Sequence, residues 1–301
     1  MKTLFIVNPK SGRGKPAQCW PRLQEIFSSS NRDFSAAFTE SRGHASALSH
    51  SAIRDGFVEV IAVGGDGLVS EVVNGLLAAQ NQKARLGIIP CGTGNDLARM
   101  LGLPRDIFAA AQHLTRSKQT RMIDAAEVTC TVNGQPQRRY YANDANLGFA
   151  AQVVARLERT GKFSRGTAPY FTALLLTALR HRNHEIKLQW DGQPSTQRLT
   201  TVLICNGQST GGGMRVAPDA VLDDGALDLI VVGSLRPWEI LWHAPKIYRG
   251  THVRIPKVAV HRVQTVSADS DESLSVVADG ELIGTTPAHF RILPTALQVL
   301  V

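Results

Sequence analysis

Short apolar runs, glycine-rich turns and amphipathic stretches alternate through the first 125 residues. Thr3 to Val7 is an apolar, β-prone run that stops at Asn8-Pro9-Lys10-Ser11-Gly12-Arg13-Gly14, a cluster of strand-ending turn residues. A helical stretch from about Pro16 to Ser28 follows, then a strand from Phe34 to Thr39 and a helix from His44 to Asp55. Val58 to Val63 predicts a buried strand running into Gly64-Gly65-Asp66-Gly67. Behind it, Ser70 to Ala79 sets Val72, Val73, Leu76 and Leu77 at helical spacing. Leu86 to Ile89 is another strand, closed by Pro90-Cys91-Gly92-Thr93-Gly94-Asn95-Asp96, and a helix begins near Leu97.

Strand, turn and helix repeated in this way predict an α/β domain: a parallel sheet with helices on both faces. Ligands of such sheets bind at the carboxyl ends of the strands. The glycine-rich turns all fall at those ends, so three loops are expected to converge on one crevice.

From about Asp124 the pattern changes to alternation. Ala126 to Val132, Glu185 to Trp190, Thr200 to Cys205, Leu227 to Val232 and Val253 to Val260 read as antiparallel strands. Helical stretches at Ala150 to Thr160 and Tyr170 to Arg180 interrupt them. The expected division is therefore 1–125 for the α/β domain and 126–287 for a β-rich domain, with about 288–301 packing back on the first.

Composition narrows the class. At 43% hydrophobic and 19% charged, the 301 residues read as a globular protein with a substantial core. The N-terminal apolar run is too short for a secretory core, and the run around Thr172 to Leu179 is well short of a bilayer span. Cys19, Cys91, Cys130 and Cys205 form no CxxC pair, which argues against a zinc site or a disulfide framework and suits a reducing cytoplasm. The net charge of +8 calls for an anionic partner: nucleotide phosphates, a membrane surface or nucleic acid.

The loops bring chemistry. A glycine-rich turn entering a helix presents backbone N–H groups and a positive dipole end to phosphate. Gly64-Gly65-Asp66-Gly67 adds a carboxylate suited to Mg²⁺ or to positioning a hydroxyl. Gly92, Thr93, Gly94 and Asn95 offer N–H groups, a hydroxyl and an amide, and Asn8 with Lys10 completes the cradle. Near the other end, Asp279-Gly280-Glu281 follows the strand-like Leu274 to Ala278. As residues i and i+2 of a strand, the two carboxylates share a face and are candidates for general-base work on a hydroxyl; an acidic surface turn is the plain alternative. Gly207-Gln208-Ser209-Thr210-Gly211 matches a nucleophile elbow, but Gly211-Gly212-Gly213 cannot start the helix an elbow requires. No Walker loop and no ordered GxGxxG are present.

Together these pieces resemble the diacylglycerol kinase catalytic-domain family, in particular the bacterial soluble lipid kinases of the YegS and DgkB type. The matching segments are Asn8 to Gly12, Gly64 to Gly67 with Glu71-Val72-Val73-Asn74-Gly75, and Pro90 to Asp96. Asn206-Gly207 with Gly211 to Gly213, Ala217-Pro218 through Gly225, and Asp279 to Glu281 complete the set, in family order across nearly the whole chain. The resemblance implies an N-terminal domain like that of NAD and diacylglycerol kinases, a C-terminal β-sandwich and an active site in the cleft between them. It implies ATP contacts at Gly64, Gly65, Asp66, Gly67, Thr93 and Thr39, and Glu281 as proton acceptor. It also implies a supporting Mg²⁺ at Val221, Asp224 and Ala226, with Asp224 as the side-chain ligand. The family usually has Thr after GGDG, and this chain has Leu68.

The expected activity is ATP- and Mg²⁺-dependent phosphorylation of a diacylglycerol-like lipid, diacylglycerol and phosphatidylglycerol among the candidates. Glu281, Asp66 and Asp279 are the catalytic candidates. The rivals are a dinucleotide kinase and a non-catalytic nucleotide- or lipid-binding regulator; nucleic-acid binding rests on charge alone and is set aside. Arg156, Arg159, Lys162, Arg165, Arg180, His181 and Arg182, near Phe163, Tyr170 and Phe171, suggest peripheral contact with the anionic inner face of the membrane from the cytoplasm. Oligomeric state stays open, a dimer being one option.

Overall fold

The computed structural model describes residues 2–29, 33–80, 84–159 and 167–301. They divide into two units, Met1–Ala125 with Pro294–Val301, and Ala126–Leu293.

The first unit alternates strand and helix: β1 (Lys2–Val7), α1 (Lys15–Ser28), β2 (Asp33–Phe38), α2 (His44–Arg54), β3 (Glu59–Gly64), α3 (Asp66–Ala78) and β4 (Arg85–Pro90), then α4 (Asp96–Met100), α5 (Ile107–Arg116) and the start of β5 (Thr120–Val132). β2, β1, β3 and β4 lie side by side and parallel. On one face Phe5, Val7, Ile61 and Val63 pack with Trp20, Leu23 and Phe27 of α1 and with Ala111 and Leu114 of α5. Successive strand residues point to opposite faces, and the other face is covered by α2 and α3. α3 begins at Asp66, a turn earlier than its apolar periodicity indicates, because Gly65 is extended and serves as its cap.

The second unit takes up β5 and continues with β6 (Gln135–Tyr141), β7 (Asp144–Gly148), α6 (Phe149–Arg159), α7 (Thr167–Arg180), β8 (His184–Trp190), β9 (Gln193–Cys205), β10 (Leu227–Gly233), α8 (Pro237–His243), β11 (Val258–Val263), β12 (Thr265–Asp269), β13 (Ser275–Ala278) and β14 (Glu281–Leu300). The pairings β10–β11, β10–β9, β7–β9, β13–β7 and β13–β14 are antiparallel. β10 shows how the strands are used. Leu227, Leu229 and Val231 enter a core shared with β5, β7 and β14, whereas Ile230 and Val232 face Phe149, Ala178 and Ile240 of the three helices. The strand expected over Val253 to Val260 is corrected: Thr251–Arg254 is a 3-10 turn and β11 starts at Val258, after Pro256, which cannot donate to a ladder. The last residues of β14 belong to the first unit, where Gln298 and Val299 pair in parallel with Arg85 and Leu86 of β4. Among the described residues, no helix is long and apolar enough to cross a membrane.

Candidate functional site

In the first unit the strand ends fall in register. Val7 lies opposite Phe38 and Val63, and Gly64 opposite Pro90. Three bonds just past the ends carry the alignment into the loops: Thr39 N–H to Val7 O (2.9 Å), Asn8 N–H to Val63 O (3.1 Å) and Cys91 N–H to Gly64 O (2.7 Å). Asn8, Thr39, Gly65 and Gly92 therefore leave the sheet side by side. β2 and β3 flank β1 on opposite sides, and such a switch in strand order is where open α/β sheets bind ligands. The loops touch backbone to backbone. A Cβ on Gly92 would fall 2.6 Å from the Gly65 Cα, so both positions need glycine for this approach.

Asp66 fixes the arrangement. Its two oxygens accept the N–H groups of Asp96 and Asn95, each at 2.6 Å. Burial pushes its carboxyl above the usual range, the nearby Asp96 charge adds to this, and the backbone donors oppose it. Gly94 lies against the same carboxylate, and a Cβ there would meet Asp66 Oδ2 at 2.4 Å. Asn95 is turned inward as well. Its Oδ1 accepts the Gly92 N–H at 2.9 Å and its Nδ2 donates to Gly92 O at 3.0 Å. Asn8 accepts the Lys10 N–H on Oδ1 at 3.0 Å. The sequence pattern offered Asn8, Asp66 and Asn95 as ligand contacts, but their side chains are used to build the loops. Short polar side chains close turns onto nearby N–H groups as readily as they bind ligands.

The surface left to a ligand consists of backbone and a few exposed groups. Within α3 the helical ladder opens with Val69 N–H to Gly65 O, so the N–H of Gly67 lies ahead of it, as at any helix start. Thr93 and Lys10 are exposed and Thr39 is half-buried. Thr93, Gly94 and Asn95 line a hollow of about 130 Å³ together with Arg99 and Arg105. Arg99 binds Asp96 and the Gly94 carbonyl, both at 2.5 Å. Neither arginine was singled out from the sequence; the position of Arg99, one turn along the helix from Asp96, was the available signal. Leu68 is buried, and a Cβ on Gly64 would fall 2.5 Å from its Cδ2. It packs beneath the glycine loop. Glu71 accepts the N–H groups of Gly43 and Ala45 at 2.8 and 3.0 Å and so ties α3 to the start of α2.

In the second unit Asp279 and Gly280 are the two turn residues between β13 and β14, with φ of 45° and 77° and Ala278 paired to Glu281. Positive φ at both positions is the tight hairpin geometry for which Asp-Gly is suited. The expectation that Asp279 and Glu281 share one strand face is corrected, because the chain reverses between them. Asp279 accepts the N–H groups of Ala142, Asn143 and Asp144 at 3.1, 2.9 and 3.3 Å. Burial raises its carboxyl to about 7 against the pull of these donors. Close in sequence to these donors, Tyr141 Oη, Asn143 Oδ1 and Asn146 Oδ1 are buried without a hydrogen-bond partner among the described residues. Glu281 opens β14 and is half-buried.

Asp224 accepts the Ala226 N–H at 3.1 Å and forms an ion pair with Arg262. Arg262 also lies opposite Asp228 in the β10–β11 ladder and restrains the rise of the Asp228 carboxyl, which burial pushes up to about 6. Val221 is largely exposed. Among the described residues no three His, Cys, Asp or Glu side chains are placed to hold a metal ion. Of the Val221, Asp224 and Ala226 set, the one carboxylate is paired with a guanidinium, that of Arg262.

The nucleophile-elbow match fails structurally: Ser209 is buried and Thr210 pairs with Met214 across a turn, with no helix. The basic cluster is only partly a surface. Arg156 binds Thr177 at 3.0 Å, and buried His181 binds Gln152 and Asn183. Arg159, Arg180 and Arg182 are exposed. Lys162, Phe163, Arg165 and the Tyr170 side chain lie outside the described residues.

Residues 2–128 match the diacylglycerol kinase catalytic domain, and residues 144–301 match the YegS C-terminal NAD kinase beta sandwich-like domain. The diacylglycerol kinase of Bacillus subtilis (strain 168) is 30% identical over 297 residues, spanning 98% of this chain and 95% of that protein. The diacylglycerol kinase of Mycobacterium tuberculosis (strain ATCC 25618 / H37Rv) is 33% identical over 251 residues, 83% and 79% of the respective chains. A crystal structure from Bacillus anthracis str. Sterne superposes with a TM-score of 0.82 at 26% identity, covering 99% of this chain and 94% of that one.

Proposed function

The chain belongs to the diacylglycerol kinase family, and from that membership we propose that it moves the γ-phosphate of ATP onto the hydroxyl of a diacylglycerol-like lipid. The observation that carries the reading is the pair of glycine loops, joined at Gly65 and Gly92 and held by the Asp66 carboxylate. Phosphoryl transfer asks mainly for positioning and charge neutralisation, and a surface of backbone N–H groups provides both without steric bulk.

ATP arrives with Mg²⁺ as its substrate form. Its phosphates lie on the N–H groups at Gly65 to Gly67, Thr93 and Gly94, with Thr93 and Thr39 as hydroxyl contacts and Lys10 as the cation. Asp66 acts as a positioning residue that holds the two loops at one spacing. As the lipid oxygen bonds to the γ-phosphorus, the bond from phosphorus to the β–γ bridging oxygen breaks and ADP leaves. The hydroxyl proton passes to Glu281. Asp279 is a positioning residue for the hairpin that presents Glu281. The protein works at the inner face of the membrane, from the cytoplasm.

The test offers γ-labelled ATP and Mg²⁺ with a panel of lipids in mixed micelles, with Glu281→Gln alongside. Label in one lipid with wild type, and its loss in the variant at unchanged ATP binding, is the expected result. Full turnover by Glu281→Gln removes that residue from the role, and label appearing only on added NAD transfers the reading to a dinucleotide kinase.

A further inference from the structure

The fold does not use the two tryptophans of α8. The helix buries Ile240 and packs Leu241 beside it, while Trp238 and Trp242 are 61% and 73% exposed. Four residues apart on a helix, they stand one above the other on a single face. Tyr248, in the 3-10 turn Ala244–Arg249 that follows, is 48% exposed. α7 packs against α8 and leaves Leu179 62% exposed. Large apolar side chains gathered outside a fold mark an interaction surface.

Charge follows the same segment. From Arg236 to Lys257 the chain carries Arg236, Lys246, Arg249, Arg254 and Lys257 against one carboxylate, Glu239. That carboxylate is already engaged, with Lys257 Nζ at 2.7 Å and the Arg236 N–H at 2.8 Å. Glu239, His243, Lys246, Arg254 and Lys257 line a hollow of about 350 Å³. The hollow therefore gathers cations along the helix that carries the two exposed indoles.

We propose that this face of the second unit, Trp238 and Trp242 with the cations of residues 246–257, docks the protein on an anionic bilayer. Tryptophan favours the membrane–water interface, where its ring is apolar and its N–H remains wet. The cations attract the phosphates of anionic headgroups, each contributing about five-fold in affinity near such a surface. A protein groove would complement the indoles; the cation-rich rim with its single neutralised carboxylate complements a negatively charged sheet of phosphates. The proposal deepens the lipid-kinase reading by giving it a route to a bilayer-borne acceptor, while its evidence is this surface alone.

The test measures binding without ATP to vesicles of phosphatidylcholine alone or mixed with phosphatidylglycerol, with brominated lipid added to quench tryptophan at the interface. Wild type is expected to bind the anionic vesicles at least ten-fold more tightly, with quenching, and to lose the preference in high salt. Trp238→Ala/Trp242→Ala should weaken binding about ten-fold and abolish quenching. Lys246→Gln/Arg254→Gln should erase the anionic preference while quenching persists at high lipid. Both double variants should keep the wild-type melting temperature and full turnover on a short-chain acceptor below its micellar concentration. Unchanged vesicle binding by the tryptophan variant overturns the proposal, and so does a wild-type dimer that this variant converts to monomer without any vesicle binding. If the kinase reading alone is wrong, no lipid is labelled even in micelles, yet vesicle binding and quenching stand.

Discussion

The Asp66 carboxylate accepts the backbone N–H of Asn95 at 2.6 Å across 29 residues of sequence. With the matching bond from Asp96, it converts two separate turns into one rigid edge. The acid in the middle of the first glycine loop therefore shapes the second.

Asp66→Asn replaces one acceptor oxygen with an N–H₂ that confronts a backbone N–H. We expect a loss of about 1.5–3 kcal/mol, the range for hydrogen bonds to charged groups, read as a lower urea midpoint at unchanged slope. Gly94→Ala, whose Cβ would press on Asp66 Oδ2, should act on the same contact. The double variant should then be less destabilised than the sum of the two, and strict additivity would show that the two residues act separately.

At Gly92 the prediction concerns binding more than stability. Gly92→Ala drives a methyl group toward the Gly65 Cα and must part the loops. Titration with a non-hydrolysable ATP analogue should show at least ten-fold weaker binding with a melting temperature within a few degrees of wild type. Equal affinity would mean that the loops do not bind phosphate.

Leu68 occupies the place of a customary threonine. Because the side chain is buried beneath Gly64, Leu68→Thr should bury a hydroxyl without a partner and cost roughly 1–3 kcal/mol. ATP affinity should not rise. A variant that binds ATP more tightly at unchanged stability would place residue 68 at the phosphates after all.

Asp279 links stability to pH. Burial raises its carboxyl from the usual 3.8 to about 7, so between those values the native protein holds a proton that the unfolded chain has released. Stability should therefore fall as pH rises through this window and level off above it. Chemical denaturation of wild type and Asp279→Asn from pH 4 to 8 should show a smaller slope in the variant. Parallel pH profiles would refute the assignment.

Arg262 neutralises Asp224 where the family resemblance points to Mg²⁺. Millimolar Mg²⁺ without nucleotide should leave the wild-type melting temperature unchanged and raise that of Arg262→Gln, whose carboxylate has lost its cation. A wild-type rise abolished by Asp224→Asn would show that the metal displaces the guanidinium.

The α/β half was legible because each of its signals is local. Apolar runs such as Val58 to Val63 are strands by composition, and the glycine turns punctuate them at the right end. The roles of the polar residues were not legible in the same way. Asp66, Asn95 and Asn8 are suited to bind either a ligand or a backbone amide; Asn8 and Asn95 find theirs two or three residues away in the same turn, and for Asp66 the register of the strands brings the amides within reach. Asp279-Gly280 carried a hairpin signal that a strand reading obscured, since alternation continues on both sides of the turn. α8 was missed because its two tryptophans face outward, which inverts the periodicity used to find helices.

β4 is finished by residues that lie far away in sequence. Leu297 and Leu300 are buried, Leu300 in the core beneath the sheet, yet a ribosome makes all of residues 126–293 before it makes them. Until then β4 presents an open edge of unpaired N–H and C=O groups, the kind that recruits stray strands. A message cut short before Pro294 would therefore yield a first unit with an exposed strand edge, prone to pair with other chains.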